Sequence, residues 1–387
     1  MSRKDSVTMQ HKPLFIDIHA LQTVPPSCIN RDDTGSPKTA RFGDAKRARI
    51  SSQAWKKAMR DWFESHFEED EIGYRTKHVA ELIASYIEKE VSDKDHEEIL
   101  RMAAEALGAT GIKVKDNETG YLVFISPMQA KELAALAVDA FRNGNKVDAK
   151  KAKAVLNVKE RPTLNSVDIA LFGRMVADAP KLNVDATAQV AHALGIGLSE
   201  QEYDYYTALD DCSPQDNAGA GMIGTTEYLS ATLYRYATID VYHLCENLGS
   251  KKAAVKAVEA FLEAFVKSMP TGKQNSFANR TLPSAVIIQM RDTQPVSLVG
   301  AFEKPVYASG NESVTEVACK RLVAHENAID AAFGVAPQQT YITCGAPLVK
   351  EALEGMEGAY AQLDEAIASV SKQVAAYLTD CGFSAED

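Results

Sequence analysis

The sequence predicts an α+β fold in which a core rich in β-strands is interrupted by a helical insertion. Residues 14–20 place Ile16, Ile18 and Ala20 at alternating positions, separated by an aspartate and a histidine, which is the pattern of a half-buried strand. From about residue 56 to residue 158 the apolar side chains instead recur at helical spacing. Strand-like segments rich in Tyr, Thr and aliphatic residues return only after residue 225.

The predicted elements can be placed in chain order. After the first strand, a helix is expected to begin at Ser51 or Ser52, because either serine is a good N-cap. The elements predicted after it are helices at 80–90, 96–107 and 127–143 with a break at 108–120, strands at 226–242 and 284–290, and one or two closing helices within 350–377.

Composition limits the class of protein. The chain has 387 residues, of which 45% are hydrophobic, so it can bury a large core and is expected to form two or three structural units. It contains no run of about 18 apolar residues, and residues 1–11 lack the apolar core of a signal peptide. Its six cysteines include no CxxC pair, which indicates neither a disulfide framework nor a zinc site. We therefore expect a cytoplasmic protein.

Positive charge is concentrated in one segment. Residues 31–60 contain nine Lys or Arg and three Asp, although the whole chain carries a net charge of −11. The segment reads as a basic loop that leads into a basic helix, an arrangement suited to binding a phosphate backbone. The alternative interpretation is a solvated helix face beside a lysine-rich loop, but the contrast with the acidic remainder favours nucleic acid.

The helix that follows the basic loop has two distinct faces. Trp55, Met59, Trp62 and His66 recur at helical spacing and are predicted to pack inward. The opposite face carries Gln53, Lys56, Lys57 and Arg60 just after the helix N-terminus, whose free N–H groups also attract anions. Both features predict a track for phosphate groups.

The same segment resembles a known family. Residues 26–33, 48–53 and 56–60 resemble the start of the CasC backbone subunit of type I-E CRISPR Cascade complexes. Further islands of resemblance follow in the same order at 166–175, 189–193, 207–211, 219–225, 234–237, 271–279 and 301–306. The resemblance spans nearly the whole chain. It departs in the polar extension of residues 1–11 and in the segment between residues 211 and 219.

The resemblance implies a fold shaped like a right hand, with an RRM-like (ferredoxin-like) palm, helical fingers and a thumb β-hairpin. It divides the chain into a first part of the palm (1–60), the fingers (61–181), a linking part of the palm (182–196), the thumb (197–224) and a second part of the palm (225–387).

The resemblance also implies a function. Family members are non-catalytic and oligomerise head to tail along one CRISPR RNA, and they hold its spacer for pairing with target DNA. Other Cascade subunits cap and line this helical filament, and neither a membrane nor a cofactor is involved. A protein that binds single-stranded RNA without assembling on it is an alternative of a different class, and the number of copies per RNA would separate the two.

Eighteen residues are predicted to bind RNA. They are Arg31, Lys38, Lys46, Arg47, Arg49, Ser52, Gln53, Lys56, Lys57, Arg60, Arg174, Met175, Tyr203, Tyr205, Tyr206, Lys273, Gln274 and Asn275. Composition alone makes Met175 a core methionine, whereas the resemblance places it against guide bases with Arg174 near the backbone. The three tyrosines either wedge between bases or pack the hairpin against the palm. Residues 273–279 form a polar loop that can face phosphates or a neighbouring subunit.

No catalytic or metal-binding residue is predicted. Related subunits of type III complexes are metal-dependent RNases with an aspartate in a comparable loop, so Asp32 and Asp33 keep an enzymatic alternative open. No set of metal ligands accompanies them at a recognisable spacing, and we expect Asp32 to order the loop through an ion pair with Arg31. Gly219, Gly221 and Gly224 match GxGxxG, but a polar segment precedes them and a strand is predicted after them, which excludes a dinucleotide site.

Overall fold

A computed structural model describes residues 12–91, 94–208 and 222–383 of the chain. It confirms the mixed α+β class, with a central sheet, helices on its faces and a helical segment inserted between its strands.

The elements are numbered here in chain order. The strands are β1 (Phe15–Ser27), β2 (Thr39–Phe42), β3 (Ala45–Ile50), β4 (Tyr74–Thr76), β5 (Val114–Lys115), β6 (Glu118–Thr119), β7 (Val123–Ile125), β8 (Ala188–Val190), β9 (Ala193–Gly195), β10 (Glu202–Ala208), β11 (Met222–Asp240), β12 (Ala285–Arg291), β13 (Gln339–Cys344) and β14 (Ala359–Tyr360). The helices are α1 (Ser52–Phe63), α2 (Val79–Glu88), α3 (His96–Ala109), α4 (Pro127–Arg142), α5 (Ala149–Leu156), α6 (Val167–Phe172), α7 (Val241–Leu248), α8 (Lys251–Lys267), α9 (Gln274–Phe277), α10 (Val314–Phe333), α11 (Pro347–Ala352) and α12 (Leu363–Asp380).

Strand β1 lies at the centre of the sheet. It pairs antiparallel with β11 on one side and with β12 on the other, so that Ile18 is opposite both Ala237 and Ile288. The sheet continues from β12 to β13 and β14, and from β11 through β9 to β3 and β2. Strands β8 and β10 also pair with β11. Strands far apart in sequence thus become neighbours.

Helices cover both faces of the sheet. The face that carries Ile16 and Ile18 packs against α1, α7, α8 and α12, whereas the face that carries Leu21 and Ile287 packs against α10 and α11. Strand β1 is therefore buried on both faces, and the prediction that it is half-buried is wrong. Its polar side chains are accommodated by partners: Asp17 forms an ion pair with Arg291 (3.1 Å), and His19 Nδ1 lies 2.8 Å from the Tyr234 hydroxyl.

A second hydrophobic core forms within the inserted segment. It draws on α2, α3, α4 and α5 and on strand β7, between Val79 and Leu182. Helices α2, α3 and α4 confirm the predicted helices at 80–90, 96–107 and 127–143 to within two residues at each end. The segment therefore has its own core, separate from the core on the central sheet.

The basic segment before α1 is a β-hairpin rather than the predicted loop. Strands β2 and β3 pair around a two-residue turn at Gly43 and Asp44, a turn length that is typical of tight hairpins. The hairpin buries Arg47 completely. Its guanidinium donates to the carbonyl oxygens of Ile196 (2.6 Å) and Phe302 (3.0 Å), among others. Arg47 therefore connects three parts of the chain, and its donors are not available to RNA.

The GxGxxG segment leads into a strand, as predicted. Strand β11 begins at Met222 and includes Gly224, whereas Gly219 and Gly221 lie outside the described residues.

In the described part of the chain, no helix is both long and apolar enough to cross a membrane.

Candidate nucleic-acid interface

Helix α1 is anchored by its buried face. Ser51 caps the helix by accepting from the Ala54 N–H, and its own N–H donates to Asn30 Oδ1 at 2.8 Å. Trp55 and Met59 are buried as predicted, and the Arg235 guanidinium lies 3.6 Å from the Trp55 ring centroid. Phe63 continues the buried stripe.

The end of the predicted stripe differs. Trp62 is half-buried and His66 is exposed, because the inward positions are taken by Phe63, the last residue of α1, and by Phe67, after the turn that follows the helix.

The opposite face of α1 lines a groove of about 830 Å³, which we call the α1 groove. It is bounded by Gln53, Lys56, Lys57, Arg60, Arg75, Tyr121, Leu122, Phe124, Phe172, Gly173, Arg174, Met175, Ala177, Asn183, Val184, Asp185 and Ala186. The fold thus joins the predicted basic face of α1 to the segment around Met175, more than 100 residues later in sequence.

The lysines of the groove differ in environment. Lys57 is exposed and forms an ion pair with Asp61, one turn further along α1. Lys56 is half-buried, and its ammonium group lies 5.4 Å from the centroid of the Phe172 ring. Burial removes part of the water around the Lys56 ammonium group and thereby lowers its pKa. An anion in the groove would therefore contact a cation that is incompletely hydrated. Gln53, one turn before Lys57, is exposed.

Arg60 joins α1 to other elements. Its Nε donates to Asp168 Oδ2 at 2.9 Å, and its Nη2 donates to the Gly73 carbonyl at 2.9 Å. The guanidinium lies 4.6 Å from the Phe124 ring centroid. Asp168 is fully buried and also accepts from the Gly73 N–H and the Ser166 hydroxyl, both at 2.8 Å. Burial raises the pKa of Asp168, and Arg60 opposes that shift. Arg60 is therefore a structural residue as well as part of the groove.

Arg174 and Met175 are adjacent in sequence but have opposite environments. Arg174 is buried and donates to Gln129 Oε1 (2.9 Å) and to the carbonyl oxygens of Leu156 and Leu182. Burial lowers its pKa to about 10. These contacts leave it no access to an RNA backbone. Met175 is 78% exposed, so it does not occupy the core position that composition alone predicts for it.

Three exposed or partly exposed residues of the groove, among others that line it, were not predicted. Arg75 is exposed on β4, and Tyr121 and the half-exposed Leu122 lie just before β7. No cluster of basic residues surrounds them in the sequence, which is why they were not predicted. The pairing of β4 with β7 brings them to the groove.

A second basic group lies where β3 leads into α1. Arg49 Nη1 is 3.2 Å from Nδ1 of His192, and the Arg49 N–H donates to the Lys38 carbonyl at 2.9 Å. Burial, together with the charges of Arg49 and Lys38, lowers the pKa of His192. His192 was not predicted as a site residue, because no basic residue is near it in sequence. Ser52, half-buried in the first turn of α1, continues this group toward the α1 groove.

The segment around Lys273 packs beside the basic hairpin. A Cβ atom on Gly272 would lie 2.3 Å from the Ile29 carbonyl oxygen, so the two backbones are in direct contact. Gln274 and Asn275 are exposed on the short helix α9. Burial raises the pKa of the Cys28 thiol, and the charges of Arg31 and Lys273 both oppose that shift.

Strands β10 and β11 form the two arms of a hairpin. Tyr203 and Tyr205 are 65% and 63% exposed, and their spacing puts both on one face of β10. Tyr206 points to the other face and covers Gly224 of β11, where a Cβ atom would lie 2.4 Å from the ring. The three predicted residues are therefore split between two faces. The hairpin tip, 209–221, lies outside the described residues.

Two other predicted residues lie near the hairpin base and the basic segment. Lys46 is exposed, and its ammonium donates to Gln201 Oε1 at 2.7 Å, just before β10. Asp32 orders its own loop, as expected, but through Thr34 and Ser36, whose N–H groups both donate to Asp32 Oδ1 at 3.0 Å. Its partners are these two residues and not Arg31. Among the residues described, no cluster of His, Cys, Asp or Glu could hold a metal ion.

Comparison with known families identifies the chain. A model of the CT1975-like protein family matches residues 16–369. The chain belongs to the CT1975-like protein family. This match, with the structural similarities below, confirms the resemblance to Cascade backbone subunits that the sequence islands indicate.

Two solved structures are similar to this CT1975-like chain. One, titled "CRISPR RNA-guided surveillance complex, pre-nicking", is 30% identical, with 93% of this chain and 100% of that chain covered and a TM-score of 0.80. The other, titled "CRISPR RNA-guided surveillance complex", is 26% identical, with 93% and 99% covered and a TM-score of 0.71. A search of curated proteins found no match.

The ion pair between Arg60 and Asp168 generates a stability prediction for this family member. Arg60→Ala leaves the buried Asp168 carboxylate without its cation, and we expect the free energy of unfolding in urea to fall by about 3 kcal/mol. The control Lys57→Ala, on the exposed side of the same helix, should change it by less than about 0.5 kcal/mol. Equal losses for both variants would show that the pair does not hold α1 in place.

Proposed function

We propose that this chain is a non-catalytic backbone subunit of a type I-E Cascade complex that binds CRISPR RNA along the α1 groove. The proposal is carried by one observation: Gln53, Lys56 and Lys57 share a groove with the exposed Met175, although they come from distant parts of the chain. Family membership and the two similar structures, whose titles name RNA-guided surveillance complexes, support it.

Phosphate binding would follow the basic residues from β3 into α1. Arg49 is the penultimate residue of β3, Ser52 begins α1, and the rise of an α-helix puts Lys56 about 6 Å further along the axis. Arg31, Lys38, Lys46 and the 273–275 segment would extend this track beside the hairpin. Arg47 and Arg174 have no place on it, because their donors are bonded to protein acceptors.

Base contacts would use the apolar parts of the same groove. Met175 and Leu122 are exposed there, and both offer apolar surface rather than hydrogen-bonding groups. Such contacts do not distinguish one base from another, so sequence specificity would be left to pairing between the guide and its target.

We further propose the architecture of a right hand. The central sheet around β1, β11 and β12 would be the RRM-like palm, with parts at 1–60, 182–196 and 225–387. Residues 61–181, most of whose buried side chains belong to the second hydrophobic core, would be the fingers. The β10–β11 hairpin within 197–224 would be the thumb, and its exposed Tyr203 and Tyr205 would stack on bases at about 1–3 kcal/mol each.

In this proposal several copies assemble head to tail along one CRISPR RNA and hold its spacer for pairing with target DNA. A head-to-tail contact that does not close produces a helical filament, so other Cascade subunits would cap and line it. The net charge of −11 would limit stray nucleic-acid binding outside the basic track. The compartment would be the cytoplasm, where such a complex meets its target DNA.

The groove lysines give the first test. Lys56→Gln with Lys57→Gln should weaken binding to a CRISPR RNA, because two phosphate contacts are lost. The slope of log affinity against log salt should become shallower by about 0.7 for each contact. Fluorescence anisotropy over a salt series measures both quantities. Arg60 is left unchanged, because its loss would also affect the fold.

The matched control is Lys150→Gln with Lys151→Gln. These lysines are exposed on α5 and do not line the groove, so this variant makes the same change of charge elsewhere. Equal loss of affinity in both double variants would contradict the proposal that the α1 groove is the RNA site.

Catalysis is tested with metal ions. Protein bound to a guide should leave complementary RNA intact in Mg²⁺ or Mn²⁺, and Asp33→Ala should behave as the unmodified protein does, because no cluster of ligands among the described residues accompanies Asp33 to hold a metal ion. Gel analysis of labelled RNA measures cleavage. Metal-dependent cleavage that disappears in the Asp33→Ala variant would favour the RNase of type III complexes instead.

The hairpin tyrosines test the assembly. Tyr203→Ser with Tyr205→Ser removes the exposed aromatic face but keeps the lysines, so affinity for RNA should largely survive. Chemical probing of the bound guide should lose the periodic reactivity expected where bases are displaced at regular intervals. Tyr206→Ser, on the opposite face, is the control and should keep the period. A free-standing RNA-binding protein would show no such period in any variant.

A further inference from the structure

An acidic cleft lies at the edge of the central sheet, on a side of the molecule that shares no residue with the α1 groove. Its volume is about 640 Å³, and it is bounded by α10, by residues 336–341 and by residues 356–359. Glu326, Asp330 and Glu357 line it, and its lining includes no Lys or Arg. A cleft of this size can hold a ligand, and its charge predicts a cationic one.

The base of the cleft contains more negative than positive groups. Arg291 is fully buried and faces three carboxylates: Asp17 at 3.1 Å, and Glu326 and Asp330 at 3.6 Å each. Asp17 also accepts from the Tyr236 hydroxyl and the Val296 N–H, so it is well paired. One cation therefore serves three acids, and the two that line the cleft have the weaker contacts.

One oxygen atom in the cleft lacks a partner. Glu326 is only 3% exposed, yet its Oε2 accepts no hydrogen bond from any described residue, whereas Asp330 Oδ1 accepts none but lies 3.6 Å from Arg291 Nη1. The two side chains are four residues apart on α10, where like charges repel. Burial raises the pKa of Glu326. A buried acceptor without a donor costs free energy, which a donor entering the cleft would recover.

We propose that this cleft binds the basic N-terminal segment of the same chain, residues 1–11, through Arg3 and Lys4. Both side chains supply cationic donors, and both lie in a segment that is outside the described residues. The proposal concerns a surface apart from the RNA site and does not rest on the proposed function.

The position of Lys12 supports this occupant. The Lys12 ammonium lies 3.1 Å from Asp292 Oδ2, and its carbonyl accepts from the Tyr377 hydroxyl at 2.9 Å. Asp292 directly follows Arg291, whose side chain faces the carboxylates of the cleft, and the N–H of Gln338, which lines the cleft, donates to the Met290 carbonyl. Lys12 therefore lies near the cleft. Arg3 is nine positions before Lys12 in the sequence, and an extended chain of that length spans up to about 30 Å.

Tethering and geometry favour binding within one chain. A segment joined to the rim has an effective concentration on the order of millimolar, which favours it over a free cationic peptide of the same sequence. Strand β14 pairs with β13 only at Tyr341 and Ile342 among the described residues. The edge of β13 borders the cleft at Gln339, where an extended segment can lie alongside it, whereas Gly358 packs against Thr340.

Zero-length carbodiimide cross-linking of the RNA-free full-length protein, followed by mass spectrometry, tests the proposal. The reagent joins an amine to a carboxylate that touches it. We expect Lys4 to link to Glu357, Asp330 or Glu326 within one chain. The Lys12–Asp292 contact is the positive control, because the structure already joins these groups. A Lys12–Asp292 link without any Lys4 link to the cleft would overturn the proposal.

A variant of the cleft provides the matched test. Glu326→Gln with Asp330→Asn removes the buried charges but keeps Glu357 as a reporter at the rim, so the Lys4–Glu357 link should be lost while Lys12–Asp292 remains. Persistence of the Lys4–Glu357 link would contradict the proposal.

A second measurement does not depend on the folding of that variant. In the chain with Arg3→Glu and Lys4→Glu, hydrogen exchange of the amides at 338–341 should be faster than in the unmodified chain. Unchanged exchange would overturn the proposal. So would Lys4 links found only between two copies, because the occupant would then be the segment of another chain.

Discussion

The ion pair between Arg60 and Asp168 is the constraint on which the candidate interface depends. Arg60 comes from the basic face of α1, and Asp168 is buried at the start of α6. Through Gly73 and Phe124 the same guanidinium reaches the strands β4 and β7 of the inserted segment. One side chain therefore sets the distance between α1 and the opposite wall of the groove. The shape of the groove therefore depends on the burial of the Asp168 carboxylate together with its partner, Arg60.

Buried arginines recur as connectors throughout this protein. Arg47 joins β3 to residues 195–197 and 302–303, Arg174 joins residues 129, 156 and 182, and Arg235 joins β1 to α8 while stacking on Trp55. A guanidinium suits this work because its donors form a fixed fork and it stays charged when buried. The cations that remain open to solvent in the proposed interface are therefore the exposed Arg31, Lys46 and Lys57 and the half-buried Lys38, Arg49, Lys56 and Lys273.

The interface and the acidic cleft place opposite charges on separate surfaces. The basic track follows β3 and α1, and the acidic cleft lies beside β13 and α10. Because the chain as a whole is acidic, the basic track is the exception, and its cations are confined to one surface. In the proposed function, this separation would let one surface attract an RNA backbone while the rest of the protein repels it.

The sequence by itself determined the α+β class, the helices α2 to α4, the capped start of α1 and the basic face with Lys56 and Lys57. These features are local: helical spacing, a capping serine and a cluster of charges are all visible within about twenty residues. Sequence islands further indicated the family.

Only the tertiary structure decided which basic residues face solvent. Arg47 and Arg174 look the same in sequence as Arg49 and Lys56. However, Arg47 donates to carbonyl groups 149 and 255 residues later in the chain, and Arg174 donates to Gln129, 45 residues earlier. The same holds for β1, whose polar face is buried because Arg291 and Tyr234 reach it from distant strands. Charge pattern is a local property of the chain, whereas desolvation is a property of everything packed around it.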